Sequence, residues 1–207
     1  MKIDDLPLHY NTVDTLEHNL VKRANKVAIY SLEREMTYRQ VSMEVNQVGH
    51  ALTKLGIRMG DFVGILSLDL PEWVTSFFGV VKVGGVAVGM STTQTPKDYA
   101  YMLDDCRARA IIVHDSLLTK IEEIRAERPF LEHVIVLGLA GKPARGGAIA
   151  FEDWIKGQPT DLHAAPTHRD DFCTLNYTSG TTGPPKGIQH AHKDFPISSQ
   201  LYDVNVL

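Results

Sequence analysis

Residues 62–90 read FVGILSLDLPEWVTSFFGVVKVGGVAVGM. Phe62–Leu66 is a run of five apolar residues, Pro71 to Val83 is a proline-led stretch, and Val86 to Met90 is a second apolar run entered through Gly84-Gly85. Proline suits the first turn of a helix, where its missing N–H has no partner to lose. The pattern is therefore strand, helix, strand. A membrane span competes with that reading, because Trp73 to Met90 is almost wholly apolar and a spanning helix needs only about 17 residues. Lys82 interrupts the stretch, and Gly79, Gly84, Gly85 and Gly89 divide it. The helix–turn–strand reading is the better one, and no membrane association is expected.

Working outward, the same alternation continues. Pro96 to Arg107 reads as a helix and Ala110 to His114 as a strand rich in β-branched residues. Ser116 to Arg128 reads as a helix with Ser116 at its N-cap, and Val134 to Leu137 as a strand. Upstream, Val41, Val45, Val48, Leu52 and Leu55 recur at spacings of three and four. That is one face of a helix over 39–55, and Gly56 stops it. Before it come a helix over 12–24 and a strand at Val27–Tyr30 that turns into Met36-Thr37-Tyr38. Between Gly138 and Arg169 the glycines and prolines Gly141, Pro143, Gly146, Gly147, Pro159 and Pro166 punctuate a surface excursion with one short helix, at Phe151 to Lys156. The chain returns to a strand at Phe172 to Tyr177. Short apolar strands separated by helices of ten to fifteen residues predict an α/β fold of βαβ units on a parallel sheet, with right-handed crossovers.

Composition narrows the function classes. The 207 residues carry a formal net charge of -4, against a dedicated nucleic-acid binder, and no basic run dense enough for a membrane surface. Cys106 and Cys173 stand far apart in no metal-ligand spacing and read as reduced thiols of a cytoplasmic protein. Asp4 and Asp5 near the N-terminus, with no apolar run beside them, give no sign of a secretory signal.

The chemistry is concentrated in residues 177–187, YTSGTTGPPKG. Hydroxyls at Thr178, Ser179, Thr181 and Thr182 are packed with Gly180 and Gly183 directly after a strand. Glycine lets backbone N–H groups turn toward an anion, hydroxyls add donors, and Lys186 adds positive charge. These are the parts of a phosphate cradle. The string is not a Walker A loop, which needs a hydroxyl residue directly after the lysine, and no GxGxxG follows the first strand.

This string resembles the phosphate loop of the adenylate-forming superfamily, which includes acyl-CoA synthetases, peptide-synthetase adenylation domains and firefly-type luciferases. That pattern, Tyr/Phe-Thr-Ser-Gly-Ser/Thr-Thr-Gly-x-Pro-Lys-Gly, is met at every fixed position from Tyr177 to Gly187, and His192 sits where the family usually has a histidine. Met36-Thr37-Tyr38, Gly60 to Val63 and Gly84 to Val88 look like landmarks of the same N-terminal domain. Thr95 to Leu103 and His190 to Asp194 are similar to the benzoate-CoA ligase branch.

The resemblance implies ATP, Mg²⁺ and coenzyme A as reactants or cofactors. A carboxylate, with an aromatic acid such as benzoate favoured, attacks the α-phosphate, and the coenzyme A thiol takes the acyl group from the adenylate. Thr178, Ser179, Gly180, Thr181, Thr182, Gly183 and Lys186 are expected to hold the phosphates. Lys186 and Thr182 carry the catalytic roles, with the Thr182 hydroxyl facing magnesium. Residues 1–207 correspond to the N-terminal part of the AMP-binding domain. The adenine, metal-glutamate and lid-lysine motifs of such enzymes are absent, so this chain alone is expected not to complete adenylation. A carrier-loading adenylation domain, a luciferase-like oxygenase and a non-catalytic nucleotide-binding module are the rival functions. Oligomeric state has no signature.

Other polar groups receive plain readings. His190 and His192 would share a face of a strand, with hydrogen bonding rather than a metal as the default. Asp104-Asp105 and Glu122-Glu123 read as solvated faces. Trp73, Phe77, Phe78 and Tyr101 read as core, and the resemblance places Phe195, Ile197 and Tyr202 near the acyl group.

Overall fold

The computed structural model describes residues 5–178 and 184–206, the last five by backbone alone. Helices α1 (Asp14–Glu17) and α2 (Leu20–Arg23) precede a small hairpin of β1 (Val27–Tyr30) and β2 (Glu35–Thr37). Helix α3 (Tyr38–Lys54) leads to β3 (Phe62–Leu66), α4 (Pro71–Lys82) and β4 (Val86–Gly89). Then follow α5 (Pro96–Asp105), β5 (Ala110–His114), α6 (Asp115–Glu122), β6 (His133–Leu137), β7 (Ile149–Ala150) and α7 (Phe151–Ile155). The chain closes with β8 (Phe172–Thr178), β9 (Lys186–Ala191) and α8 (Asp194–Val206).

Seven strands form one sheet in the order β7-β6-β5-β3-β4-β8-β9. All are parallel except β9, which runs antiparallel to β8 at the edge. The chain steps from β3 to β4, crosses back to β5, and later returns beside β4 with β8. Helices cover both faces. Tyr99, Met102 and Leu103 of α5 and Leu118 and Ile121 of α6 pack on Leu66, Val88, Ile111 and Val136. On the opposite face Val48, Leu52, Phe77, Val80 and Phe151 pack on Val63, Ile65, Ala87 and Ile112. The alternation of β3 residues between these layers is the period-two signature of a strand buried on both faces.

Helices α3 and α5 show their cause in sequence. Thr37 caps α3 in a reciprocal box with Gln40, and Thr95 caps α5 with Asp98. Val41, Val45, Val48 and Leu52 are fully buried, and each such side chain contributes about 1.5–3 kcal/mol of transfer free energy. Gly56 stops α3 at φ +81°, a conformation that favours glycine. Helices α3 and α4 meet at Gly79, where a Cβ would lie 2.5 Å from Val48 Cγ1.

The structure departs from the sequence reading in several places, among them Tyr101, which reads as core and is exposed, and the added strand β9. The helix expected over 12–24 is interrupted at His18-Asn19, where the Asn19 amide donates to the carbonyls of Thr15 and Leu16 and competes with the helical ladder. The N-cap of α6 is His114 rather than Ser116: the His114 ring accepts from the Ser116 N–H. Helix α6 ends at Glu122, and a separate 3-10 turn covers Arg125–Glu127. The 138–169 excursion adds β7 to the sheet edge and lies against the body of the fold. Asn46 Nδ2 donates to Thr160 O at 2.7 Å, and Ala165 N to Lys82 O at 2.8 Å. Among the described residues no helix is long and apolar enough to cross a membrane.

Candidate functional site at the end of the sheet

The hairpin β8–β9 carries the two ends of the predicted phosphate loop. Thr178 and Lys186 are register partners, and the Thr178 hydroxyl lies 3.5 Å from the Lys186 carbonyl it donates to. Ser179, Gly180, Thr181, Thr182 and Gly183 lie outside the described residues. The ends are therefore brought together at the carboxyl end of β8, next to the carboxyl end of β4. In open parallel sheets that edge is where ligands bind. Lys186 is exposed, and among the described residues no ion pair engages its ammonium. Its charge is available to an anion such as a nucleotide phosphate.

The strand leading into the loop is anchored deeply. Thr174 Oγ1 donates to Ala87 O of β4 at 2.7 Å. The Tyr177 hydroxyl donates to Asp105 Oδ2 at 2.6 Å and lies 3.3 Å from Met102 O. Burial and the neighbouring Asp105 carboxylate push the Tyr177 phenol above its ordinary range, so it remains the donor. Gly187 lets β9 lie flat there, since a Cβ would stand 2.9 Å from Leu175 Cδ1. A register shift between Phe172 and Thr174 puts Cys173 in the layer with α3 and α4, while Leu175 and Tyr177 face α5.

The strand leaving the loop is anchored on the N-terminal segment. His192 is wholly buried, its Nδ1 accepts from the Thr12 N–H at 3.0 Å, and the Thr12 hydroxyl donates to His192 O at 3.0 Å. Burial pushes the imidazole down to about 4, so it is neutral at neutral pH. His190, two residues earlier, is half exposed and sits 3.4 Å from Asp194. The chain turns at His192, so the two histidines do not share a face.

Asp105 is exposed and Asp104 half-exposed, in keeping with the solvated-face reading, but both also have partners. Arg128 Nη1 bonds Asp104 Oδ2, and Asp105 receives the Tyr177 phenol across 72 residues of chain. No local pattern announces such pairs. Trp73 stacks on Phe77 with ring centroids 5.6 Å apart, and Phe195 joins Phe77 at 5.8 Å. Phe195 thus packs into the layer containing α4, and the Tyr202 side chain lies outside the described residues.

Among the described residues no group of three His, Cys, Asp or Glu side chains is placed to hold a metal ion. Magnesium held mainly by phosphates and water needs no such cage, so Lys186 beside a hydroxyl-rich loop fits a metal–nucleotide ligand. A family model described as AMP-binding enzyme matches residues 16–205.

The chain belongs to the AMP-binding enzyme family.

Among members of that family, the benzoate–CoA ligase of Thauera aromatica is 35% identical over 200 residues, which cover 95% of this chain and 37% of that protein. A solved structure of the anthranilate CoA ligase AuaEII in complex with anthranoyl-AMP superposes with a TM-score of 0.96 at 58% identity, covering 100% of this chain and 39% of that one. A benzoate CoA ligase from Burkholderia xenovorans LB400 superposes at 0.82 with 26% identity, covering 95% of this chain and 37% of that one. The chain thus spans less than two fifths of the length of these AMP-binding relatives. The central parallel sheet and its flanking helices are those of the N-terminal domain of adenylate-forming CoA ligases.

Proposed function

We propose that this chain supplies the phosphate-binding part of an ATP-dependent acid–thiol ligase acting on an aromatic carboxylate. One observation carries the reading: Thr178 and Lys186 bracket the family's phosphate loop at the carboxyl edge of a parallel sheet. The 58% identity to a ligase solved with anthranoyl-AMP supports an aromatic acid such as benzoate or a close relative.

In this reading the carboxylate attacks the α-phosphate of ATP, an acyl-adenylate forms, and pyrophosphate leaves. Lys186 and the loop from Thr178 to Gly183 hold the β- and γ-phosphates and meet charge building on the leaving group. Their contribution is positioning and electrostatics rather than covalent catalysis. Magnesium, when bound, neutralises phosphate charge, and Thr182 is the residue proposed to face it. Coenzyme A then takes the acyl group. The chain covers 37% of the Thauera ligase, and turnover is proposed to need the remaining parts that such relatives carry. A cytoplasmic setting, where ATP and coenzyme A are available, belongs to the same reading.

The test is carboxylate-dependent exchange of labelled pyrophosphate into ATP, with benzoate and anthranilate, using the 207-residue chain and the protein expressed from its full reading frame. The long protein should exchange. Lys186→Ala should lower its rate by about 10²-fold or more, with unchanged thermal stability because Lys186 is exposed. Absence of exchange across a panel of acids would refute the ligase reading, and ATP binding without exchange would favour a non-catalytic nucleotide-binding module.

A further inference from the structure

We infer that Asp105 is a positioning residue for the phosphate loop, acting through the phenol of Tyr177; the inference rests on the ligase reading above. The parallel ladder between β4 and β8 pairs Ala87 with Thr174, Val88 with Leu175 and Gly89 with Asn176. It stops there. Tyr177 and Thr178 continue past it, paired to Gly187 and Lys186 of the edge strand alone. The tip of the hairpin, with the two ends of the loop, therefore projects beyond the sheet that supports it.

A two-stranded ribbon held only by its own ladder is marginal in water and free to twist. Among the described residues, the hydrogen bonds that tie the projecting tip to another element come from one atom, the Tyr177 hydroxyl, to Asp105 Oδ2 and Met102 O of α5. Asp105 is the last residue of that ten-residue helix, whose Tyr99, Met102 and Leu103 are at most 1% exposed. The tether thus runs from a helix locked into the core to the residue just before Thr178. The same ring underlies the other strand: a Cβ on Gly187 would come within 3.4 Å of Tyr177 Cε1. Fixing one phenol sets the height of both strands, and with it the direction from which Lys186 reaches an anion.

A carboxylate acceptor makes the bond shorter and stronger than a neutral one. Asp105 itself is exposed, so the bond is worth more as a geometric restraint on the tip than as folding free energy. The thiol of Cys106, raised by burial to about 11, stands beside the phenol as a neutral neighbour. It does not compete as an ion for the proton.

The experiment measures pyrophosphate exchange by the protein from its full reading frame in five forms: wild type, Tyr177→Phe, Asp105→Ala, the double variant and Asp105→Asn. Tyr177→Phe keeps the half-buried ring and removes only the hydroxyl, so it preserves folding where Asp105→Ala fails to. Each single variant should lower kcat/KM for ATP about tenfold, the worth of one charge-assisted hydrogen bond. The KM for the carboxylate should not move. The double variant should be no worse than either single one, and Asp105→Asn, which keeps an acceptor, should recover part of the loss. Unchanged ATP kinetics in Tyr177→Phe would overturn the inference, as would equal losses toward ATP and the acid or additive losses in the double variant. Failure of the wild type to exchange would instead refute the ligase reading, and the inference with it.

Discussion

The ammonium of Lys82 is held at the end of α4 with its side chain only 1% exposed. Its acceptors are Glu17 Oε1 and Asn46 Oδ1, and Ser42 Oγ also donates to Glu17. The two charges are not equally buried, because the Glu17 side chain keeps 25% of its exposure. Removing the carboxylate strands a cation away from water with one amide oxygen as partner. Removing the ammonium leaves a carboxylate that still reaches solvent and keeps its serine donor. Breaking a buried pair costs about 3–5 kcal/mol, most of it the desolvation of the charge left behind. Glu17→Ala should therefore destabilise by about 3 kcal/mol, while Lys82→Met, which fills the same space with apolar atoms, should cost about 1 kcal/mol. The double variant should recover most of the Glu17→Ala loss, because no uncompensated charge remains. Urea unfolding of the 207-residue chain reads this directly: with a slope of about 3 kcal/mol/M, Glu17→Ala should lower the midpoint by about 1 M. If Lys82→Met costs as much as Glu17→Ala, or the double variant is the least stable of the three, the desolvation argument fails.

Two further predictions concern packing and protonation. Gly79→Ala places a methyl 2.5 Å from Val48 Cγ1 and 3.3 Å from Val45 O, so α3 and α4 must separate. The cost should be about 1–3 kcal/mol, partly restored by adding Val48→Ala, and a loss below about 0.5 kcal/mol in thermal unfolding would contradict the close crossing. For His192 the folded value lies near 4 and the unfolded value near 6.5. Between those limits the unfolded chain binds a proton that the folded chain refuses, so stability falls as pH falls, by about 3 kcal/mol in all. His192→Asn keeps an acceptor for the Thr12 N–H and should flatten that slope; an unchanged pH dependence of the urea midpoint would show that another group is responsible.

Most of the sheet was legible because its signals are local. Five apolar residues, Pro71, the Gly84-Gly85 turn and the three-and-four spacing of Val41 to Leu52 each act within a few residues. The β8 boundary was legible for the same reason, since Phe172 to Tyr177 is followed at once by glycine and hydroxyl residues. The 12–24 helix was misread because Asn19 spends its amide on Thr15 and Leu16 carbonyls, a choice that periodicity does not register. The Asp105 bond was not legible because its partner is 72 residues away, and adjacent acidic residues at the end of a helix look alike whether or not one of them is bonded.

Sequence alone determined the α/β alternation, the two ends of the segment proposed to hold phosphate and the family to which they belong, because short-range periodicity and an eleven-residue string need no knowledge of neighbours. Tertiary structure decided how the strands on either side of that segment are held. It set β9 antiparallel at the edge, turned Cys173 to one layer and Tyr177 to the other, and buried His192 against Thr12. Apart from the local β8–β9 hairpin, those outcomes depend on contacts between segments more than 70 residues apart, and only chain closure brings such segments together.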